Sequence, residues 1–341
     1  MFLKDSWYVA AWSHEIDDGK LLGRTILGEP VLLYRGEAGH VVAMHDRCCH
    51  RGAPLSMGRR EGDAVRCLYH GLKFSPSGQC VEIPGQDRIP PKACVRVFKV
   101  VERSSWIWIW MGDPARADES LIPDTHWLDD PAWRCKPGYI HYHTNYLLIA
   151  DNLLDFSHLP YVHPTTLGGV EDYAKNPAKV DRLERGVRIT RWSLGIKPPP
   201  FVTRVTGWQM NVDRWNIYDF VAPGVLLMDS GSQPAGTGAL DGARDGAVQF
   251  RSCQALTPET ENSTHYFFAF PHDFSIDDPS VTESLHNDVL VAFEEDRQII
   301  NGQQRILDLD PDFKMQPLGI DAALSQFRWV MEKLIKQQEA A

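Results

Sequence analysis

The chain has 341 residues, 43% of them hydrophobic, enough for two domains with a sizeable core. With 35 Lys and Arg against 45 Asp and Glu the net charge is −10, which argues against nucleic acid or an anionic membrane as partner. No apolar run is long enough to span a membrane, no signal-peptide apolar stretch opens the chain, and the 7 cysteines lack the spacing of a disulfide framework, so a reducing cytoplasm is expected, with cysteine serving metals.

Residues 1–115 read as short strands and turns. Val31-Leu32-Leu33-Tyr34 and Val41-Val42-Ala43-Met44 flank Gly36-Glu37-Ala38-Gly39, a hairpin signal. Leu72-Lys73-Phe74 and Gln79-Cys80-Val81 flank a second turn, Ser75-Pro76-Ser77-Gly78. Residues 100–110 end in Trp106-Ile107-Trp108-Ile109-Trp110, apolar on both faces, as in a strand buried on both sides. Within this region lie Cys48-x-His50 and Cys67-x-x-His70, with 16 residues between His50 and Cys67. A structural zinc site is one reading, but zinc fingers usually take two cysteines from one motif and two histidines from another. One Cys and one His per loop suits a two-iron cluster, with thiolates on one iron and imidazoles on the other. Gly52 and Gly71, close behind the histidines, allow tight loops.

Residues 111–135, punctuated by Pro114, Pro123 and Pro131, read as a connector. Residues 138–146 look strand-like and lead into a helix carrying Asp151, Asn152, Asp155, His158 and, past Pro160, His163. On a helix continuing to Pro160, Asp151, Asp155 and His158 share one face. His158 and His163 would diverge by about 140° on an unbroken helix, so the break expected at Pro160 is what lets both reach one ion. A helix end with two satisfied histidines is the alternative.

Residues 165–186 are polar without a clear period. Strands are expected at 187–192, 215–220, 225–228, 247–250 and 264–270, forming one antiparallel sheet. Lys197-Pro198-Pro199-Pro200-Phe201 reads as a stiff bend, and 234–246 as a mobile hairpin tip, an inert loop sooner than a lid. A helix over 281–307 aligns Leu285, Val289, Phe293, Ile299 and Ile300, with Asp296 on the same face. A carboxylate there needs a cation: an arginine such as Arg305 or Arg328, or a metal. Glu294 and Glu295 read as solvated charges, and 319–338 as a last amphipathic helix. Neither G-x-G-x-x-G nor C-x4-C-x2-C occurs, so any redox electrons come from another protein.

Taken together, Cys48-x-His50-x16-Cys67-x2-His70, then Asp151-x3-Asp155-x2-His158-x4-His163, then Asp296, resemble the catalytic subunit of Rieske non-haem iron oxygenases, nearest the vanillate O-demethylase and dicamba monooxygenase branch. Trp7-Tyr8-Val9-Ala10, His50-Arg51-Gly52-Ala53-Pro54, Val212-Asp213-Arg214-Trp215 and Leu256-Thr257-Pro258-Glu259-Thr260 support the likeness. The resemblance implies an α+β chain, with an all-β Rieske domain at 1–117 and a helix-grip catalytic domain at 118–341, an antiparallel sheet around a long C-terminal helix. It implies a [2Fe–2S] cluster on Cys48, His50, Cys67 and His70, and Fe(II) on His158, His163 and Asp296. Asn152 would support the iron site, and Asp155 would couple it to a neighbouring subunit's cluster in a homotrimer, accepting a hydrogen bond from His158 or His163. Electrons would come from NAD(P)H through a separate flavin or ferredoxin-type reductase. O2 would hydroxylate a small aromatic substrate, most simply O-demethylating a methoxy-aromatic acid such as vanillate; a non-methoxy or non-aromatic substrate is the alternative. The family usually has Pro after each cluster Cys, where this chain has Cys49 and Leu68, so Cys49 is a rival to Cys48.

Overall fold

The computed structural model describes residues 2–17, 19–164 and 178–339. The chain divides into two compact units, Met1–Pro123 with Thr257–Glu261, and Asp124–Leu256 with Asn262–Ala341.

The first unit is all β apart from single 3-10 turns. Its strands are β1 (Ser6–Trp12), β2 (Leu22–Ile26), β3 (Glu29–Arg35), β4 (Val41–His45), β5 (Arg59–Glu61), β6 (Ala64–Arg66), β7 (Lys73–Phe74), β8 (Cys80–Glu82), β9 (Val100–Arg103) and β10 (Trp106–Met111). They form three small sheets, ordered β1-β10-β9, β2-β3-β4 and β5-β6-β7-β8. The expected β3–β4 hairpin serves two cores, because successive side chains face opposite ways. Leu32, Tyr34, Val42 and Met44 join the core that contains Cys48 and Cys67. Val31, Leu33 and Ala43 join Tyr8, Ile107 and Ile109 in the other. All six residues of β10 are buried, as the Trp-Ile alternation requires. The stretch 100–110 is nonetheless two strands, turned by Ser104 and Ser105 at φ 52° and 59°.

The second unit holds β11 (Gly138–Tyr142), α1 (Tyr146–Leu154), α2 (Leu159–Val162), β12 (Lys179–Leu183), β13 (Gly186–Ile196), α3 (Pro200–Thr206), β14 (Val212–Val221), β15 (Val225–Pro234), β16 (Val248–Thr260), β17 (Ser263–Ala269), α4 (Pro279–Leu309) and α5 (Ala322–Glu339). One seven-stranded sheet runs β11-β17-β16-β15-β14-β13-β12. The five expected strands are its centre, and the strand-like 138–146 supplies one edge. The other edge, β12, comes from the stretch read as aperiodic, of which residues 165–177 lie outside the described residues. The proline bend leads into a helix, since Pro200 fits a first helical position, where its missing N–H has no cost. The loop after β15 is not a loose tip. Arg244 bonds Asp229 at 2.8 Å and lies 4.5 Å over the ring of Trp215.

Helix α4 begins on an Asp278 cap and lays Val289, Ala292, Phe293, Asp296, Ile300 and Gln304 against the protein. Ile299, expected on that face, is 57% exposed. Phe293 anchors the helix on the sheet, with ring centroids 5.1 Å from Tyr266 and 4.9 Å from Phe268. Tyr142 on β11 donates to the Phe293 carbonyl at 3.0 Å. This is the antiparallel sheet with a long C-terminal helix that the resemblance implied.

Candidate active site

The two Cys/His loops are near copies. The Cys48 amide donates to Ala53 and the Gly52 amide to the Cys48 carbonyl, at 2.8 and 2.9 Å. In the second loop Cys67 donates to Leu72 and Gly71 to Cys67, at 2.8 and 3.0 Å. Gly52 and Gly71 take φ of 72° and 77°, the left-handed conformation that closes each turn. Arg66 braces the second loop by donating to the Gly71 carbonyl at 2.7 Å. Cys48 and Cys67 point inward and are 3% and 1% exposed, whereas His50 and His70 are exposed with ring centroids 4.5 Å apart. Cys49 is exposed, so geometry favours Cys48 as the partner of Cys67. Burial pushes the Cys48 thiol up to about 11, so a bare thiolate is disfavoured there and coordination to metal is what would hold it deprotonated. These four side chains do not close on one point as ligands of a single zinc must; among the described residues only His158, His163 and Asp296 do so. A thiolate pair inside and an imidazole pair outside fit a two-iron cluster.

The second site forms where α1 stops. Asn145 caps its start, accepting from the Leu147 amide. The helix ends at Leu154, not at Pro160, because Asp155 adopts an extended conformation and its carboxylate takes the Ser157 amide and hydroxyl at 2.9 and 2.5 Å. Pro160 instead sits in the first turn of α2. Two breaks, at Asp155 and at His163, bring His158 and His163 to one place, with donor atoms that lie with one of Asp296 within 4.8 Å of one another.

Hydrogen bonds set the tautomers. His158 Nδ1 faces the Asp155 carbonyl oxygen at 2.6 Å, and His163 Nδ1 faces Glu295 Oε2 at 2.7 Å. Both oxygens accept, which places a proton on each Nδ1 and turns both Nε2 atoms toward Asp296, with Asn152 Nδ2 3.4 Å from that of His158. The two Nε2 atoms meet Asp296 Oδ1 at 3.5 and 3.1 Å. Two imidazole nitrogens and a carboxylate oxygen converging in this way are a donor set that suits a metal cation. Asn152 Nδ2 donates to Asp296 Oδ1 at 3.0 Å and holds that carboxylate in place. Burial lowers the His158 pKa, keeping the ring neutral as a metal donor must be. For His163 burial is outweighed by Asp296 and Glu295, and its pKa is raised.

Residues 142–337 match the family described as the vanillate O-demethylase oxygenase C-terminal domain, and residues 6–99 match the Rieske [2Fe-2S] domain. The iron-sulfur subunit of a toluene-4-sulfonate monooxygenase system of Comamonas testosteroni is 52% identical, over 99% of this chain and 98% of its own. This chain belongs to the Rieske oxygenases. The vanillate O-demethylase oxygenase subunit of a Pseudomonas species is 36% identical over 100% of this chain and 97% of its own. The crystal structure of dicamba monooxygenase bound to 3,6 dichlorosalicylic acid superposes with a TM-score of 0.92 at 36% identity, covering 100% of this chain and 99% of that one. Its form with non-heme iron and dicamba gives 0.85 at 33% identity, covering 99% of each chain. A Rieske oxygenase is an oxygenase component working with a [2Fe–2S] cluster, a mononuclear non-haem iron, O2 and reductase-supplied electrons. No helix among the described residues is long and apolar enough to cross a membrane.

Three sequence expectations change at this site. Asp151, placed on one face with Asp155 and His158, turns instead to Arg328 on α5, which bonds both its carboxylate oxygens. Arg328 is therefore not the partner of Asp296. The carboxylate of Asp155 caps the 3-10 turn, and it is the Asp155 carbonyl that orients His158. Glu295, read as a solvated charge, is the carboxylate that orients His163. Its one visible signal was its place beside Asp296 on the helix, and nothing in the local pattern tied it to a residue 132 positions away.

Proposed function

We propose that this oxygenase hydroxylates a methyl carbon on a small aromatic acid. With a methoxy-aromatic acid such as vanillate the product is unstable and collapses to the phenol and formaldehyde, which is O-demethylation. Identity to the toluene-4-sulfonate monooxygenase subunit favours a second substrate of the same kind, a ring methyl group that stops at the alcohol. The observation that carries the reading is the meeting of His158, His163 and Asp296 on one point beside the aromatic residues of β17 and α4.

In this reading Cys48, His50, Cys67 and His70 hold the cluster, and residues 1–117 form the electron-receiving domain. His158, His163 and Asp296 would hold the iron, within a catalytic domain over 118–341. The chemistry supplied there would be O2 activation with two electrons from the reductase, one oxygen atom ending on the substrate carbon and the other in water. Asn152 and Glu295 keep the ligands oriented. Tyr266 and Phe293 stack on each other with ring centroids 5.1 Å apart and fix the helix that carries Asp296 against the sheet. Burial raises the pKa of Tyr266 well above its ordinary value, so its hydroxyl stays protonated. The working unit is a cytoplasmic homotrimer served by a flavin or ferredoxin-type reductase, in which Asp155 relays electrons from a neighbouring subunit's cluster. Turnover with a generic reductase tests the substrate reading. Methoxybenzoates should release formaldehyde and toluene-4-sulfonate should give the benzylic alcohol; absence of both products sinks it.

A further inference from the structure

The helix-facing side of the sheet carries a cation, Arg214, that no hydrogen bond or ion pair engages among the described residues. Arg214 on β14 lies opposite Ser193 on β13 and Ser232 on β15. Residues paired in this way project to the same face. There Arg214 lines a cavity with Phe201, Phe250, Phe270, Val289 and Asp288. Asp288 is engaged elsewhere, bonded at 2.5 Å by Arg204. Among the described residues Arg214 itself has no hydrogen bond or ion pair. A guanidinium among phenyl rings is costly to desolvate unless an anion meets it. Beside it the Ser232 hydroxyl, on a residue 1% exposed, has no hydrogen-bond partner. An unpaired cation and an orphaned hydroxyl on one face are two halves of an anion site.

Helix α4 links this cavity to the iron ligands. Val289 and Asp296 lie on its buried face, seven residues and about 10 Å apart along the axis. A single substituted benzene ring lies in such an interval. We propose that Arg214, assisted by the Ser232 hydroxyl, anchors the anionic group of the substrate. The substrate class is then an aromatic carboxylate or sulfonate whose methyl or methoxy carbon is at the far end of the ring. Arginine offers the paired donors that both anions accept. This rests on the aromatic-acid reading above and adds the residue that selects the charge.

Calorimetric titration of the holoenzyme, without reductase, tests the anchor independently of turnover. The probes are toluene-4-sulfonate, 4-methylbenzoate and the neutral 4-methylbenzenesulfonamide. Wild type should bind at least one anion about tenfold or more tighter than the amide. Arg214→Gln should weaken that anion by about 10- to 100-fold and close the gap to the amide, while Arg214→Lys recovers part of it. Ser232→Ala should cost less, about three- to tenfold. Whichever anion binds tighter identifies the head group. The cluster absorption spectrum and thermal midpoint establish that each variant is folded; if Arg214→Gln fails there, Arg214→Lys and Ser232→Ala carry the test. The anchor is overturned if wild type binds neither anion, if it binds the amide equally well, or if the folded Arg214 variants bind the anion unchanged. Anion binding that depends on Arg214, without hydroxylated product in turnover assays, would refute the proposed function and leave the anchor standing.

Discussion

Single atoms decide which residues can serve the two metal sites. Cys48 is buried toward Cys67 and Cys49 is not, so Cys48→Ser should abolish the visible absorption of the cluster and Cys49→Ser should leave it. The reverse result, read from one spectrum of each purified variant, would overturn the ligand assignment. Glu295 fixes the His163 tautomer through a 2.7 Å bond, so its removal should loosen the iron and spare the cluster. We expect Glu295→Ala to lower iron affinity by about 10- to 100-fold, the usual cost of losing such a support. Metal analysis after dialysis against a mild chelator measures this; wild-type iron retention would show that Glu295 is only a surface charge.

At the scale of elements, α1 and α4 do different work. Helix α1 carries a buried carboxylate unrelated to the metal. Burial pushes Asp151 up to about 6 from its ordinary 3.8, against the hydrogen bonds of Arg328. The folded chain therefore holds a proton that the unfolded chain releases between about pH 4 and 6. The stability from this group is full below that window and is lost as pH rises through it. Asp151→Asn cannot titrate, so the thermal midpoint of the variant relative to wild type should rise between pH 4.5 and 6.5. A constant difference across that range would show that Asp151 is not shifted. Helix α4 depends on packing. Phe293 meets the rings of Tyr266, Phe268 and Phe270, and Phe293→Ala should cost about 3–5 kcal/mol in denaturant unfolding. A loss under about 1 kcal/mol would mean that the site collapses around the gap.

For the molecule as a whole, the proposed trimer makes Asp155 the test of electron delivery. Its carboxylate already caps the turn before His158, so Asp155→Asn should keep both metals, the oligomer and the turn, since Asn also caps well. Reduced clusters in that variant should no longer drive a single turnover. Near-normal product from a fully reduced Asp155→Asn enzyme, or full activity in a monomer, would remove the coupling role.

The strands, and the Cys/His spacing that suggests the donors, are legible in the sequence. Alternation wrote β10 and the β3–β4 hairpin, because burial on two faces demands apolar residues throughout. Spacing marked Cys48, His50, Cys67 and His70, because two short loops must each supply one thiolate and one imidazole. Tertiary structure decided what surrounds them. Asp151 shares a sequence face with His158 but is held by Arg328, 177 residues away, and Glu295 reads as solvated in its own helix but meets His163 in the fold. The end of α1 at Asp155 was hidden because a capping carboxylate leaves no break in an apolar pattern as a proline does. Arg214 is the extreme case: on its strand it is one more charged residue, and only the folded sheet shows it among aromatic rings beside an unsatisfied hydroxyl. Local pattern records what a residue needs from its own segment; the partner that completes a buried charge comes from wherever the fold brings the chain back.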